Sequence, residues 1–328
     1  MQPKFFNLNL KHKLAEAVSH FIIINPNSGR RKGKRDWPHI ATLLQDAGIV
    51  YEYTFTHARL DAVTLAKQAV ERGIRNIIVI AGDGTLNEAA NGILLQQAVP
   101  SNEVSLGMIP VGTGNDWGRM YQCPTTFEDC VNMIRDGHSI LQDAGVVIFS
   151  DAGIIEKRYF INVAGIGCDA VVVKDTNRRK DEGGGGKIAY MLSLLRSIFK
   201  FSSLNASITA DGQQLFSGEL YSANFGICRY SGGGMMQVPH AIPDDGLLDI
   251  TIIRRVGKMK IIRNTPKLYD GTFTIMKEVS VHRAASVTIH SNNDLLLEAD
   301  GESLGTAPIE VSVLTKALRI IVPLKSEK

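Results

Sequence analysis

Residues 76–87 read NIIVIAGDGTLN. Five consecutive apolar residues, Ile77 to Ala81, follow Asn76, and Gly82 and Gly84 end the run. An apolar run this short, bounded by glycine, reads as a strand buried on both faces. Beyond Thr85 the apolar spacing becomes helical and continues to residue 97. The stretch therefore reads as strand, glycine loop, helix, which is half of a crossover unit. The same grammar recurs on either side. Residues 21–25 (FIIIN), 51–56 and 104–110 read as strands, and residues 37–47 and 60–72 read as helices. Buried strands alternating with helices imply a parallel sheet joined by crossovers. The first part of the chain, to about residue 140, is thus expected to be a Rossmann-like, parallel-sheet α/β domain.

Three loops in that domain each follow a predicted strand. They are Asn25-Pro26-Asn27-Ser28-Gly29, Ala81-Gly82-Asp83-Gly84-Thr85 leading into Leu86-Asn87-Glu88, and Pro110-Val111-Gly112-Thr113-Gly114-Asn115-Asp116. In a parallel sheet the strand ends and helix starts share one edge, where ligands bind. Glycines let the backbone approach phosphate oxygens, and helix N-termini favour negative charge. Asp83 would repel a bare phosphate there, and a Mg2+ ion between the two removes the conflict. One such loop alone is an ordinary strand-to-helix turn. Three on one predicted edge point to a phosphate-bearing ligand.

From about residue 141 the pattern changes to short alternating strands, at 142–150, 158–163, 204–210, 220–226, 247–253, 286–290 and 294–299. This reads as a β-sandwich extending to about residue 316. Helical spacing interrupts it at 187–201 and 258–268, and residues 183–186, all glycine, read as a flexible loop. The segment 187–201 is read first as a helix packed on the sandwich and second as a membrane contact.

The chain has 328 residues, 44% hydrophobic and 21% charged, which is the balance of a globular protein of two domains. No run approaches the roughly 18 apolar residues of a membrane span, and the scattered charges of residues 1–20 do not form a signal peptide. The expected location is the cytoplasm, with peripheral contact at the inner face of the membrane. Cys123, Cys130, Cys168 and Cys228 have no metal-ligand spacing and read as free thiols. A net charge of +3 is too mild for nucleic acid. Two basic clusters stand out, Arg30, Arg31, Lys32, Lys34 and Arg35, and Arg254, Arg255, Lys258, Lys260 and Arg263. Each reads as solvated surface, with an anionic substrate or membrane surface as the alternative.

Two other phosphate motifs fail. Gly186-Lys187-Ile188 lacks the hydroxyl residue of a Walker A loop. Gly165-Ile166-Gly167-Cys168-Asp169-Ala170 fits a dinucleotide fingerprint, but residues 171–173 continue as strand-like sequence, so it reads as a packing turn. Near the C-terminus, Asp300-Gly301-Glu302 closes the apolar run 295–297. If extended, it would put Asp300 and Glu302 on one face, where a carboxylate could take the proton of an alcohol. The plainer reading is a strand ending in an Asp-Gly turn.

Together the three loops resemble the diacylglycerol kinase catalytic domain family, which includes bacterial soluble lipid kinases and eukaryotic sphingosine and ceramide kinases. The family signature is Gly-Gly-Asp-Gly-Thr followed by Asn-Glu. Ala81 stands here for the first glycine, and Asn25, Pro26, Ser28, Gly29, Gly112, Thr113, Asn115 and Asp116 match the other two loops. The resemblance implies an ATP site lined by Asn25, Pro26, Asn27, Ser28, Gly29, Thr56, Ala81, Gly82, Asp83, Gly84, Thr85, Leu86, Asn87 and Thr113, with Asp83 acting through Mg2+. It implies Glu302 as proton acceptor, with Asp300 beside it as a second candidate for base or metal ligand. It further implies a structural Mg2+ held by the Asp245 side chain and the carbonyls of Ile242 and Leu247. A C-terminal strand near 317–323 would return to the first domain, and the cleft between domains would hold the γ-phosphate and the lipid hydroxyl. The implied reaction is transfer of the γ-phosphoryl group of ATP to a diacylglycerol or sphingoid-type lipid at a membrane surface. The rivals are a NAD kinase and a non-catalytic nucleotide-binding membrane sensor. Oligomeric state is left open, a homodimer included.

Overall fold

The computed structural model describes residues 18–112, 114–181 and 200–324. The chain forms two compact units, residues 1–142 with 316–328, and residues 143–315. The expected helix at 187–201 lies almost wholly outside the described residues, as do the glycine run 183–186 and Thr113.

The first unit contains β1 (His20–Ile24), α1 (Ser28–Asp46), β2 (Tyr51–Phe55), α2 (Asp61–Glu71), β3 (Asn76–Ala81), α3 (Asp83–Leu95), β4 (Ser105–Pro110), α4 (Asp116–Met120) and α5 (Phe127–Asp136). Strand β1 pairs in parallel with β2 and β3, and β3 pairs in parallel with β4. Arg319 and Ile320, near the end of the chain, extend this sheet by parallel pairing with Ser105 and Leu106 of β4. The central strands are fully buried, as their unbroken apolar runs require. Ile22, Ile24, Ile78, Ile80 and Ile109 pack with Trp37, Ile40 and Leu44 of α1 and Cys130 and Ile134 of α5. Helix α1 begins nine residues before its predicted start at 37, so the basic run from Arg30 to Arg35 lies on its first turns rather than in a loop.

The second unit is antiparallel throughout. It holds most of β5 (Ser139–Asp151), then β6 (Ile154–Phe160), β7 (Val163–Gly167), α6 (Cys168–Asp181), β8 (Leu204–Ala210), β9 (Gln213–Gly226), a short pair β10 (Tyr230–Ser231) and β11 (Met235–Met236), β12 (Leu248–Arg254), α7 (Lys258–Asn264), β13 (Val279–Ala284), β14 (Ser286–Ser291), β15 (Leu296–Ala299) and the start of β16 (Glu302–Ile321). Neighbouring strands hydrogen-bond in the closed order β9, β7, β15, β16, β14, β8 and back to β9. The two layers expected of a sandwich are therefore joined into one barrel-like ring. The long strands β9 and β16 join them, and register shifts at Ile208/Thr209 and Leu296/Glu298 let the ladder turn.

One local expectation is overturned. Residues 171–173 do not continue as a strand, because α6 runs from Cys168 to Asp181. Ala170 and Val172 are buried on it, and packing overrides the strand preference of the valines. The Gly165–Ala170 fingerprint thus does precede a helix. Its strand β7 has only antiparallel neighbours, so the dinucleotide crossover is still missing. Among the described residues, no helix is long and apolar enough to cross a membrane.

Candidate active site

The three glycine-bearing loops of the first unit touch one another. Asn25 Nδ2 donates to Thr85 Oγ1 at 2.9 Å, which ties the first loop to the second. Asn25 Oδ1 accepts the Asn27 N–H at 3.0 Å and shapes the turn. Gly29 has φ +60°, and a side chain there would run into the Val111 carbonyl, so only glycine brings the first loop against the third. A Cβ on Gly112 would lie 2.7 Å from the Cα of Gly82. Asn115 Nδ2 donates to the Gly112 carbonyl at 3.1 Å, and Asn115 Oδ1 is buried without a hydrogen-bond partner.

Asp83 lies at the centre of this contact. Its two oxygens accept the backbone N–H groups of Asp116 and Trp117, each at 3.1 Å. The carboxylate thus caps α4, whose positive end favours it. Burial pushes its pKa above the ordinary value, against the pull of the amides. A Cβ on Gly114 would lie 3.1 Å from Asp83 Oδ2 and 3.6 Å from Asp116 Oδ2, so these carboxylates flank one small space. Such oxygen donors fit Mg2+, which takes one or two carboxylates and completes its shell with phosphate and water. The motifs alone give Asp116 no role. The sequence signal for one is its match to the third-loop motif, directly after Asn115.

The other implied nucleotide residues divide into two groups. Gly82 starts α3 in extended conformation without a side-chain cap, so the first amides of the helix keep donor capacity. Pro26, Ser28 and Gly84 are partly exposed, and Asn27 is exposed. Thr56 is buried, its N–H donating to the Ile24 carbonyl at 2.9 Å. Leu86 is a core residue, and Asn87 is buried with its side chain and carbonyl engaged by Asn91. These two contribute to a site through backbone or support. Ala81 ends β3 in register with Pro110 and is not among the positive-φ residues, so glycine's freedom is not needed there.

In the second unit, Asp300 and Gly301 form a two-residue hairpin between β15 and β16, with φ +48° and +81° and Ala299 paired with Glu302. Two positive φ values are the signature of a type I′ turn. The extended segment that would have put Asp300 and Glu302 on one face is not formed. Asp300 instead accepts the N–H groups of Ile161, Asn162 and Val163 at 2.7, 3.0 and 3.0 Å. It anchors the turn to the chain before β7, and both its oxygens are engaged. Glu302, the first residue of β16, is partly exposed.

A buried polar row lies next to this turn. Glu298 pairs with Gly165, Gly165 with Asn224, and Asn224 with Thr251 across four strands. Gly165 leaves room for its neighbours, since a Cβ there would lie 2.7 Å from Asn224 Oδ1 and 3.0 Å from Glu298 Oε1. Glu298 Oε2 accepts the Gly301 N–H at 3.0 Å. Burial, with smaller contributions from Asp300, Asp169 and Glu302, drives the Glu298 pKa well above its usual value. Asp169 accepts from Asn224 Nδ2 at 3.0 Å and from Ser222 Oγ, and its pKa is also raised by burial.

Asp169, Ser222 and Asn224 form part of the wall of a pocket whose cavity volume is about 70 Å3. The rest is mainly apolar, with Tyr221, Ile253, Ile261, Leu268, Phe273 and Met276 prominent. Asn224 Oδ1 and Gln237 Oε1, on two lining residues, are buried without partners. Sequence reasoning misses this cluster, because its members come from β7, α6, β9 and β15, and the one segment that holds two of them, Gly165 to Ala170, reads as a packing turn. The thiol of Cys168 in the same wall is free and buried, and burial pushes it up to about 12, which favours the protonated form.

The loop around Asp245 has a different partner from the one expected. Asp245 pairs with the guanidinium of Arg283, whose Nε lies 3.4 Å from Oδ2 of buried Asp249. Asp245 Oδ1 also accepts the Leu247 N–H at 3.1 Å, and Asp143 Oδ2 accepts the Gly246 N–H at 2.7 Å. Arg283 already supplies the positive charge here, so these residues do not fit a metal ion. Among the described residues, no group of three or more His, Cys, Asp or Glu suits one.

Residues 19–147 match the family model described as the diacylglycerol kinase catalytic domain. Residues 162–322 match the YegS C-terminal NAD kinase beta sandwich-like domain. A diacylglycerol kinase of Staphylococcus carnosus is 30% identical over 302 residues, covering 92% of this chain and 94% of that protein. A diacylglycerol kinase of Mycobacterium tuberculosis is 31% identical over 264 residues, covering 80% and 82%. The crystal structure of a diacylglycerol kinase from Bacillus anthracis shares the fold, with a TM-score of 0.72 at 24% identity over 93% of this chain and 97% of that one.

Proposed function

The chain belongs to the diacylglycerol kinase catalytic domain family, and from that premise we propose that it transfers the γ-phosphoryl group of ATP to the hydroxyl of a diacylglycerol or sphingoid-type lipid. The observation that carries the lipid assignment is the apolar pocket with its buried polar cluster. Hydrocarbon fits the walls made by Ile253, Leu268 and Phe273, and a polar head fits Asp169, Ser222 and Asn224. A soluble dinucleotide would leave its charges against apolar walls.

The first unit binds the nucleotide. The amides at the start of α3 and the turn of Asn25 to Gly29 hold the phosphates, and Asn25 and Thr85 keep those two loops in register. Asp83 and Asp116 would hold Mg2+, which when bound neutralises the phosphate charge. In the second unit Glu302 takes the proton of the lipid hydroxyl as its oxygen attacks the γ-phosphorus and ADP leaves. Asp300 holds the hairpin that presents Glu302, and Glu298 supports the turn through Gly301.

Phosphotransfer from labelled ATP tests the reading, with diacylglycerol, a sphingoid base, ceramide, a polyprenol and NAD as acceptors, with and without Mg2+. A labelled lipid that forms only with Mg2+ is the expected product. Labelled NADP, or no product from any lipid, rejects the proposal.

A further inference from the structure

The segment from Arg254 to Lys277 carries seven Lys or Arg residues, Arg254, Arg255, Lys258, Lys260, Arg263, Lys267 and Lys277, against one acid, Asp270. It includes α7 and the two 3-10 turns Thr265–Leu268 and Thr272–Ile275. It also carries three exposed large apolar side chains. Ile275 is 78% exposed, more than any other large apolar residue among those described, Met259 is 67% exposed and Tyr269 is 45% exposed. Single exposed apolar residues are ordinary. This segment differs because its other side chains, including Ile261, Leu268, Phe273 and Met276, line the apolar pocket. One stretch of chain therefore forms the pocket wall and presents apolar tips within a basic field.

From this combination we infer that residues 254–277 are the membrane-docking lip of the second unit, and that their partner is an anionic lipid bilayer. Basic side chains meet the charged headgroups, while Met259, Tyr269 and Ile275 enter the interfacial layer, where a tyrosine is well suited. The lipid then has a short path from the bilayer to the pocket. A protein partner would not need the pocket behind the surface. Lys260 and Arg255 are paired with Glu278 and Glu219, so these two add little to the basic field. The substrate part of the inference rests on the lipid-kinase reading, but the docking part can be measured alone. The tip of the β5–β6 hairpin, with Ile154 and Ile155 at 64% and 65% exposure, is the rival surface. Its charges cancel, Asp151 and Glu156 against Lys157 and Arg158, so it lacks a basic field, and neither isoleucine lines the pocket.

The test is flotation of the whole chain, without nucleotide, on phosphatidylcholine vesicles with and without phosphatidylglycerol. Wild type is expected to float with the anionic vesicles. The variant Met259→Ser/Ile275→Ser should lower partition about tenfold, the scale of two partly buried apolar side chains. Lys258→Gln/Arg263→Gln should lower it by about 25-fold, since each basic group near an anionic surface is worth about fivefold, and should change nothing on neutral vesicles. Ile154→Ser/Ile155→Ser should bind as wild type does. Turnover of a short-chain lipid dispersed as monomers should stay within about twofold in all three variants, which establishes an intact pocket. No wild-type flotation, unchanged flotation of both lip variants, or loss confined to the Ile154/Ile155 variant overturns the inference. Loss of flotation in the lip variants, with no turnover of any lipid by wild type, upholds the lip and rejects the kinase reading.

Discussion

Asp83 Oδ1 accepts the backbone N–H of Trp117 at 3.1 Å, so the acid of the second loop also caps the helix that begins in the third. Two demands meet in one side chain. The fold needs an acceptor for α4, and on the proposed reading a Mg2+ ion beside the phosphates needs a carboxylate ligand.

Asp83→Asn should nearly abolish turnover while the chain remains folded. The amide keeps one acceptor oxygen, so one α4 contact is lost and stability should fall by about 1–3 kcal/mol. Phosphotransfer across a Mg2+ titration, beside a thermal melt, checks both. Wild-type turnover with an unchanged Mg2+ requirement would remove Asp83 from the reaction.

Glu302→Gln and Asp300→Asn should separate cleanly. Loss of a general base lowers kcat by roughly 10² to 10⁴, so Glu302→Gln should show that loss with little change in ATP affinity or melting temperature. Asp300 makes three charge-assisted bonds to backbone, and Asp300→Asn should cost about 2–4 kcal/mol of stability. A stable, inactive Asp300→Asn enzyme beside a near-normal Glu302→Gln enzyme would move the base to Asp300.

Arg283 should make the Asp245 loop independent of metal. The wild-type melting temperature without nucleotide is expected to be the same in Mg2+ and in EDTA. Arg283→Met leaves buried Asp249 without its cation, which should cost about 1–3 kcal/mol because the guanidinium is itself partly exposed. Added Mg2+ should recover part of that loss. A wild-type melt that rises strongly with Mg2+ would show that the loop binds metal despite Arg283.

Glu298 gives a pH signature. Its pKa in the folded chain is raised, chiefly by burial, so the folded state keeps a proton that the unfolded state has released. Stability attributable to this group therefore falls as pH rises above the ordinary carboxylate value, until the folded pKa is passed. Glu298→Gln removes the titration and retains an acceptor for the Gly301 N–H. Its melting temperature relative to wild type should rise between pH 5 and pH 8, and parallel melting curves would exclude the effect.

Much of the first unit is legible in the order of its residues, because local sequence carries its physics. A buried strand such as Ile77 to Ala81 must be apolar on both faces, and the turn after it must contain glycine to reach the next helix. Periodicity and punctuation therefore reveal β1, β3, β4 and the loops at Asn25, Asp83 and Gly112. The Asp-Gly dipeptide before Glu302 marks a turn for the same local reason, a need for positive φ at both positions.

Tertiary structure alone decided what those side chains meet. Nothing in the order of residues says that Asp83 caps α4, that Asp300 binds three amides, or that Arg283 reaches Asp245 across 38 positions. The polar row of Glu298, Gly165, Asn224 and Thr251 is a matter of strand register, and a shift of one residue would send these side chains to opposite faces. The run Val171 to Val173 became helix because burial against the barrel outweighed its strand preference. Sequence by itself thus determined the parallel α/β unit, its three glycine-bearing loops and the hairpin carrying Glu302, since each depends on contacts between near neighbours. Which acid is structural, which cation holds Asp245, and where the apolar pocket lies depend on contacts between residues far apart in the chain, and those exist only once the strands are paired.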